Sequence, residues 1–310
     1  MNSLHWPRKV REVQNHHIDS TAWNRFDFRP DDIVIATYAK SGTTWAQQIV
    51  TQLIFEGQEG LDVVSMSPWL DMRVGIDQNI AVLEAQKHRR VIKTHLPVDA
   101  LVFSPQAKYL YVARDGRDLV WSMHNHHSHY NELMYQLVNE TPGRIGPPLN
   151  PACASSVEYF QNWLEQNGYP WLPFWENVRS WWEVRELPNV LLIHFSDLKA
   201  DLPGQISRIA KFLSIPINPR NWDAIVEHCG FPYMKAHASQ FTQGGGNLWH
   251  GGSETFVYKG TNGRWRGELS TARSLQYEQL SESKLGSICA NWLANGSLAG
   301  VESRNNGQAY

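Results

Sequence analysis

This 310-residue chain has no surplus of charge: 28 Lys and Arg stand against 30 Asp and Glu, a formal net charge of −2. The long-range basic field that gathers nucleic acid is therefore missing, and no nucleic-acid partner is expected. A local anion site remains open. Only three cysteines occur, Cys153, Cys229 and Cys289, scattered and never in a C-x-x-C pair. That excludes a disulfide framework and a zinc knuckle, and fits a reducing compartment. Long hydrophobic runs are absent too: stretches such as residues 190–193 fall far short of the ~20 residues that cross a bilayer, so no membrane partner is expected. Residues 1–19 carry Arg8, Lys9 and Arg11 without an apolar run or a small-residue cleavage site; no secretion signal is read there, and a cytoplasmic location is expected. No repeat, Ser-rich linker or composition shift divides the chain. A single domain over 1–310 is expected, with 1–20 as an N-terminal extension and 296–310 as a flexible tail.

What is present is an alternation of strand-length apolar runs with segments of helical period, the pattern of an α/β fold with a central parallel sheet flanked by helices. Residues 33–39 (IVIATYA) read as a buried strand, and residues 44–56 put Ile49, Leu53 and Ile54 on one helical stripe. Further strands are expected at 90–94, 109–113 and 190–195, with a helix over 116–129. Two stretches rich in Gly or Pro, 141–151 and 244–252, are candidate lids, and 130–150 is a candidate cover for an acceptor. Of the 14 Trp, those between Trp163 and Trp182 are assigned to the core.

The chemistry concentrates in four segments. Tyr38-Ala39-Lys40-Ser41-Gly42-Thr43-Thr44-Trp45 places a cation, a glycine and hydroxyls between a strand and a helix start, where free backbone N–H groups point at a ligand. Lys40 precedes Gly42, the reverse of the Walker A order, so the loop is phosphate-binding in style without implying a metal. Lys93 and His95 share one side of a strand end by its period of two, and Pro97 ends the strand. In an open parallel sheet both groups converge at the carboxyl ends of the strands. Arg114 leaves the next strand, with Ser122 two helical turns on; without the other motifs, Arg114, Asp115, Arg117 and Asp118 would read as surface ion pairs. Residues 257–266 form a glycine-punctuated basic loop that could fold over a polyanion. His124, His126, His127 and His129 do not share one helical face, so no metal is assigned.

Taken together, Tyr-x-Lys-Ser-Gly-Thr-Thr-Trp at 38–45, Lys-Thr-His-Leu-Pro at 93–97, Val-Ala-Arg-Asp at 112–115 and Lys-Gly-x-x-Gly-x-Trp at 259–265 resemble the cytosolic sulfotransferase family in order and spacing. The resemblance implies a P-loop-like sulfotransferase fold and 3′-phosphoadenosine 5′-phosphosulfate (PAPS) as co-substrate, with a small-molecule acceptor and no metal. It implies that Lys40, Ser41, Gly42, Thr43 and Thr44 hold the 5′ end. Arg114, Ser122, Lys259 and Gly260 would hold the 3′-phosphate. Trp45 and Phe231 would sandwich the adenine, with Phe195 near the nucleotide. His95 would be the general base, helped by Lys40 and Lys93, and Trp69, Met72 and His126 would line the acceptor pocket.

The chain also departs from the family pattern. Tyr258 replaces an Arg, Arg264 an Asp, Phe195 a Tyr and Ala39 a Pro, and the C-terminal dimer motif is not reproduced, which leaves the oligomeric state open. Two rivals stand beside the sulfotransferase reading. One is a P-loop kinase using Asp197 for magnesium; the other is a non-catalytic module that binds adenosine 3′,5′-bisphosphate (PAP).

Overall fold

The computed structural model describes residues 5–297. Four short strands, β1 (Ile33–Thr37), β2 (Val91–Thr94), β3 (Lys108–Ala113) and β4 (Val190–His194), form one sheet in the order β2-β1-β3-β4. Every pair is parallel: Ile33 faces Val91 and Lys108, and Ala113 faces His194. All four carboxyl ends therefore lie on one edge, the edge where open α/β sheets hold ligands.

Both faces of the sheet are covered, which is why the strands read as unbroken apolar runs. Alternation splits them cleanly. Ile33, Ile35, Leu110 and Val112 pack with Ile49, Val50 and Leu53 of helix α1 (Thr43–Ile54) and with Ile206, Ile209 and Leu213 of the helix Leu202–Leu213. Val34, Ala36, Tyr109 and Tyr111 face the other way, onto a core holding Leu119, Met123, Trp163, Phe174, Val178 and Trp181. The Trp-rich segment is core, as its sequence implied, except that Trp171 lines a cleft.

Several boundaries differ from expectation. The first strand stops at Thr37 because pairing ends at Thr37 with Val112; Tyr38 and Ala39 are apolar but belong to the turn. Phe195 is not the end of β4 but the first residue of the helix Phe195–Ala200. Within the expected N-terminal extension, the 5–19 segment packs onto the rest of the fold: Ile18 is bridged to Met72, and His16 and His17 are buried. The two candidate lids are tied down as well. Arg73 donates to the Thr141 and Pro142 carbonyls, and Trp249 is buried and bridged to Tyr130. The three cysteines are free. Of the expected tail, residues 298–310 lie outside the described residues. Among those described, no helix is long and apolar enough to cross a membrane.

Candidate active site

Each strand delivers one part of a single cleft. After β1 the chain turns sharply: Lys40 sits at φ 68° and Gly42 at φ 113°, the left-handed region that ordinary residues occupy only at a cost. The turn aims the start of α1 at the cleft, and Gly42 caps that helix without a side-chain hydrogen bond, so its first amides are free to meet an anion. A Cβ on Gly42 would lie 3.0 Å from the Phe195 ring. Thr43 and Thr44 line the cleft; Ser41 does not, being buried with its amide donated to the Tyr38 carbonyl at 3.2 Å.

At the end of β2, Lys93 and His95 both reach the cleft, as their period-two spacing required. Lys93 Nζ lies 4.3 Å from the centre of the Trp69 ring, and that indole meets His95 edge-on with ring centroids 4.8 Å apart. His95 Nδ1 is 2.9 Å from the Thr37 carbonyl oxygen. A carbonyl only accepts, so the ring proton is assigned to Nδ1 and Nε2 carries the lone pair. Loss of hydration, with Lys93 and Lys40 close by, holds His95 well below the ordinary imidazole range. It stands neutral, with its basic nitrogen unprotonated.

Beyond β3, Arg114 is buried but does not join its neighbours in surface ion pairs. It donates to Asn262 Oδ1 at 2.9 and 3.0 Å and to the Thr261 carbonyl at 2.9 Å, and its guanidinium lies 4.2 Å from the Phe195 ring. Arg117 pairs instead with Asp115, out of water. Arg114 thus joins the basic loop 257–266 to the sheet. In that loop Arg264 lies over the ring of Tyr258 at 5.4 Å, so the two residues that depart from the family pattern contact each other. After β4, Phe195 meets Trp45 edge-on at 5.3 Å, and Trp45 Nε1 donates to the Cys229 carbonyl at 2.8 Å.

These parts enclose about 1520 Å³ of atom-free space, counting the part open to solvent. Among the described residues six cations, Lys40, Lys93, Arg114, Lys199, Lys259 and Arg264, lie on its wall, and no Asp or Glu does. Burial, with Lys93, Arg114 and Arg264 adding repulsion, pushes Lys40 down to about 7, and burial takes Lys93 to about 8. A bound polyanion would relieve both strains at once.

Of the remaining expected residues, Trp45, Trp69, Ser122, His126, Phe195, Phe231, Lys259 and Gly260 all line the cleft. Met72 does not: it is buried, and its backbone is bridged to Ile18. Asp71, unnoticed in the sequence, lies beneath Trp69 and accepts from the indoles of Trp69 and Trp23 and from the Thr94 hydroxyl. His17, Tyr130, Trp171 and Phe256 also stand in the wall; Tyr130 opens the 130–150 stretch expected to cover an acceptor, and no periodicity or motif marked the other three. The four histidines of 124–129 part company, with His124 on the Cys153 carbonyl, His127 on Tyr159 and Asn150, His129 on the Asn125 carbonyl and only His126 in the cleft. No metal-holding cluster occurs among the described residues.

The sulfotransferase domain model matches residues 30–288. A glycolipid sulfotransferase of Mycobacterium bovis is 33% identical, the match covering 89% of this chain and 92% of that protein. The chain belongs to the sulfotransferase domain family. Sulfotransferase 1B1 of Mus musculus is 30% identical over 85% of this chain and 86% of its own. Among solved structures, mouse sulfotransferase SULT7A1 complexed with PAP matches with a TM-score of 0.69 at 20% identity, covering 97% of this chain and 99% of that one. Retinol dehydratase in complex with androsterone and PAP gives 0.65 at 23%, over 86% and 83%. These distant structures share the sulfotransferase fold, a parallel sheet with helices on both faces. The chain is thus a sulfotransferase enzyme.

Proposed function

We propose that this enzyme transfers the sulfuryl group of PAPS to a hydroxyl of a small molecule, with His95 as general base. One observation carries the reading: among the described residues six cations and no carboxylate line a cleft that also presents an unprotonated imidazole nitrogen. A cluster of like charges, with Lys40 and Lys93 taken out of water, calls for an anionic ligand. PAPS has the matching charge at two separate ends, and it supplies the sulfuryl group that is transferred. Lys40 and the free amides of α1 face the 5′ end, and Arg114, Ser122, Lys259 and Gly260 the 3′-phosphate. Trp45 and Phe231 flank the base, with Phe195 packed against Trp45. His95 Nε2 takes the acceptor's proton as its oxygen attacks sulfur, while Lys40 and Lys93 stabilise the charge that grows on the leaving and equatorial oxygens. Relatives named for glycolipids and a structure holding androsterone support an acceptor of apolar body, in keeping with the aromatic wall around Trp69, Tyr130 and Trp171.

The rivals fit less well. A magnesium-dependent kinase needs carboxylates beside the phosphates, yet Asp197 lies off the cleft and accepts from the Ser297 amide at 2.9 Å. A binding-only module leaves the free nitrogen of His95 without a task. The test is incubation with labelled PAPS and a panel of phenols, alcohols and amines, with and without chelator. Transfer that persists under chelation is expected; strict magnesium dependence with a nucleoside triphosphate would replace this reading with the kinase.

The donor site makes its own prediction. A Cβ on Gly260, at φ 61°, would lie 2.6 Å from the Phe231 ring. Phe231 is 38% exposed, so it is pushed aside without loosening the core. Gly260→Ala is expected to weaken PAP binding about tenfold, the scale of a lost aromatic contact, with little change in Tm. Calorimetry with PAP decides it, and unchanged affinity would remove Phe231 from the base-binding pair.

A further inference from the structure

At the acceptor end, two imidazoles form a relay that the sulfuryl chemistry does not use. His16 Nε2 is 2.8 Å from the Pro170 carbonyl oxygen, which only accepts, so His16 carries its proton on Nε2 and a lone pair on Nδ1. That Nδ1 is hydrogen-bonded to Nδ1 of His17. His17 must therefore be the donor, with its proton on Nδ1 and a bare acceptor at Nε2. Burial keeps both rings neutral: His16 is pushed down to about 4 and His17 falls well below its ordinary range. The two-donor, charged form is thereby excluded.

His17 Nε2 is enclosed and has no hydrogen-bond partner, while its ring, 3% exposed, forms part of the cleft wall. Buried polar atoms in folded proteins are almost always paired, and an orphan nitrogen on a ring that lines a ligand cavity is a candidate partner for a ligand group. Its position is informative. His17 lies against Trp69 with ring centroids 6.3 Å apart, and Trp69 lies 4.8 Å from His95. The same indole thus contacts two neutral imidazoles, and these two steps bound the separation of the two rings. Ile18, Tyr130 and Trp171 supply apolar wall around them.

We propose that His17 is an acceptor-recognition residue whose Nε2 takes a hydrogen bond from a second hydroxyl, so that the preferred acceptors are diols with an apolar ring body, one hydroxyl at His95 and the other at His17. This rests on the sulfotransferase reading above. It goes further by naming the chemistry of the substrate's far end, and it asks of that end a donor, because an ether or ketone oxygen would meet His17 lone pair to lone pair.

The test pairs three diols of increasing length with their mono-hydroxyl partners: hydroquinone with phenol, 4,4′-dihydroxybiphenyl with 4-hydroxybiphenyl, and 17β-estradiol with its 17-deoxy analogue. Each is measured twice, as kcat/KM with PAPS and as binding to PAP-saturated enzyme by calorimetry. At least one diol is expected to exceed its partner by about tenfold or more, since a site built to bond a hydroxyl discriminates against its loss. In His17→Asn, whose amide can still donate to His16 but reaches no further, that preference falls to about twofold or less while PAP affinity holds. His17→Gln, which carries an oxygen near the position of Nε2, restores part of it. Three flat pairs in the unaltered enzyme, a preference that survives His17→Asn, or loss of PAP binding in that variant would overturn the proposal. The two readings fail differently. Flat diol binding with transfer intact strikes His17 alone, whereas a diol preference in binding without transfer from PAPS strikes the donor reading and leaves His17.

Discussion

His95→Gln is expected to lower kcat by about 10²–10⁴, the usual consequence of losing a general base, while PAP binds as before. The separation follows from the geometry. His95 is fixed through Nδ1 by the Thr37 backbone carbonyl, and Thr37 Oγ1 is in turn 2.6 Å from Thr43 Oγ1 at the start of α1. The ring is held by the scaffold of the anion loop, yet it is not itself a cation for the donor, since burial and the two lysines keep it neutral. The pH profile carries the same logic. His95 is held below the ordinary imidazole value of ~6.5, so its proton-accepting form persists as pH falls through neutrality, and the acid limb lies on the acid side of that value. Lys40, at about 7, and Lys93, at about 8, lose charge as pH rises through those values. Donor capture, read as kcat/KM for PAPS, therefore weakens on the alkaline side. A bound polyanion raises both lysines, so kcat at saturating donor keeps its alkaline limb to higher pH. In His95→Gln the acid limb should vanish and the alkaline one remain. Near-normal turnover, or an acid limb unchanged by the substitution, would take the proton-transfer role from His95.

The half of this cleft proposed for the donor was legible in the sequence because its residues follow strands, and strands buried on both faces announce themselves as apolar runs. Once β1 to β4 are parallel, Lys40, His95, Arg114 and Phe195 must share one edge. The boundaries were less legible, because apolar character does not distinguish a paired residue from one in a turn: Ala39 and Phe195 read as strand, and neither is paired. The acceptor half was mostly out of reach. His17 comes from a polar segment with no period, Tyr130 and Trp171 from connections, and only tertiary packing brings them together around Trp69. Met72 shows the converse error. The family resemblance put Met72 in the same wall as Trp69, but the turn closed by the Met72 amide on the Trp69 carbonyl at 3.1 Å sends the two side chains to different places. The buried acid between them, Asp71, holds Trp69 by its indole nitrogen; nothing in a lone Asp between apolar residues signals that task.

Arg90→Met should unfold the protein more readily without altering what the folded enzyme does. Arg90 and Asp32 are 2% and 0% exposed, and they meet in two hydrogen bonds of 2.7 and 2.5 Å. Asp32 also accepts the Arg29 amide at 2.8 Å, and the guanidinium donates to the Asp27 carbonyl and lies 4.5 Å from the Phe26 ring. The same two residues open the sheet, for the Ile33 amide donates to the Arg90 carbonyl and the Lys108 amide to the Asp32 carbonyl. Removing the guanidinium leaves a carboxylate out of water without its counter-charge, which costs about 3–5 kcal/mol and lowers Tm by about 5–8 °C at this chain length. The loss comes from the orphaned charge rather than from a strong bond broken, so Asp32→Leu added to Arg90→Met should recover part of it, a coupling that a double-mutant cycle in urea measures. A cost below about 1 kcal/mol for the single change would mean that water reaches Asp32. PAP affinity at 20 °C should stay at its original value in either variant, because the pair sits at the amino ends of β1 and β2 while the cleft is built at their carboxyl ends. If the pair and the cleft proved coupled, the strands would be transmitting more than their positions.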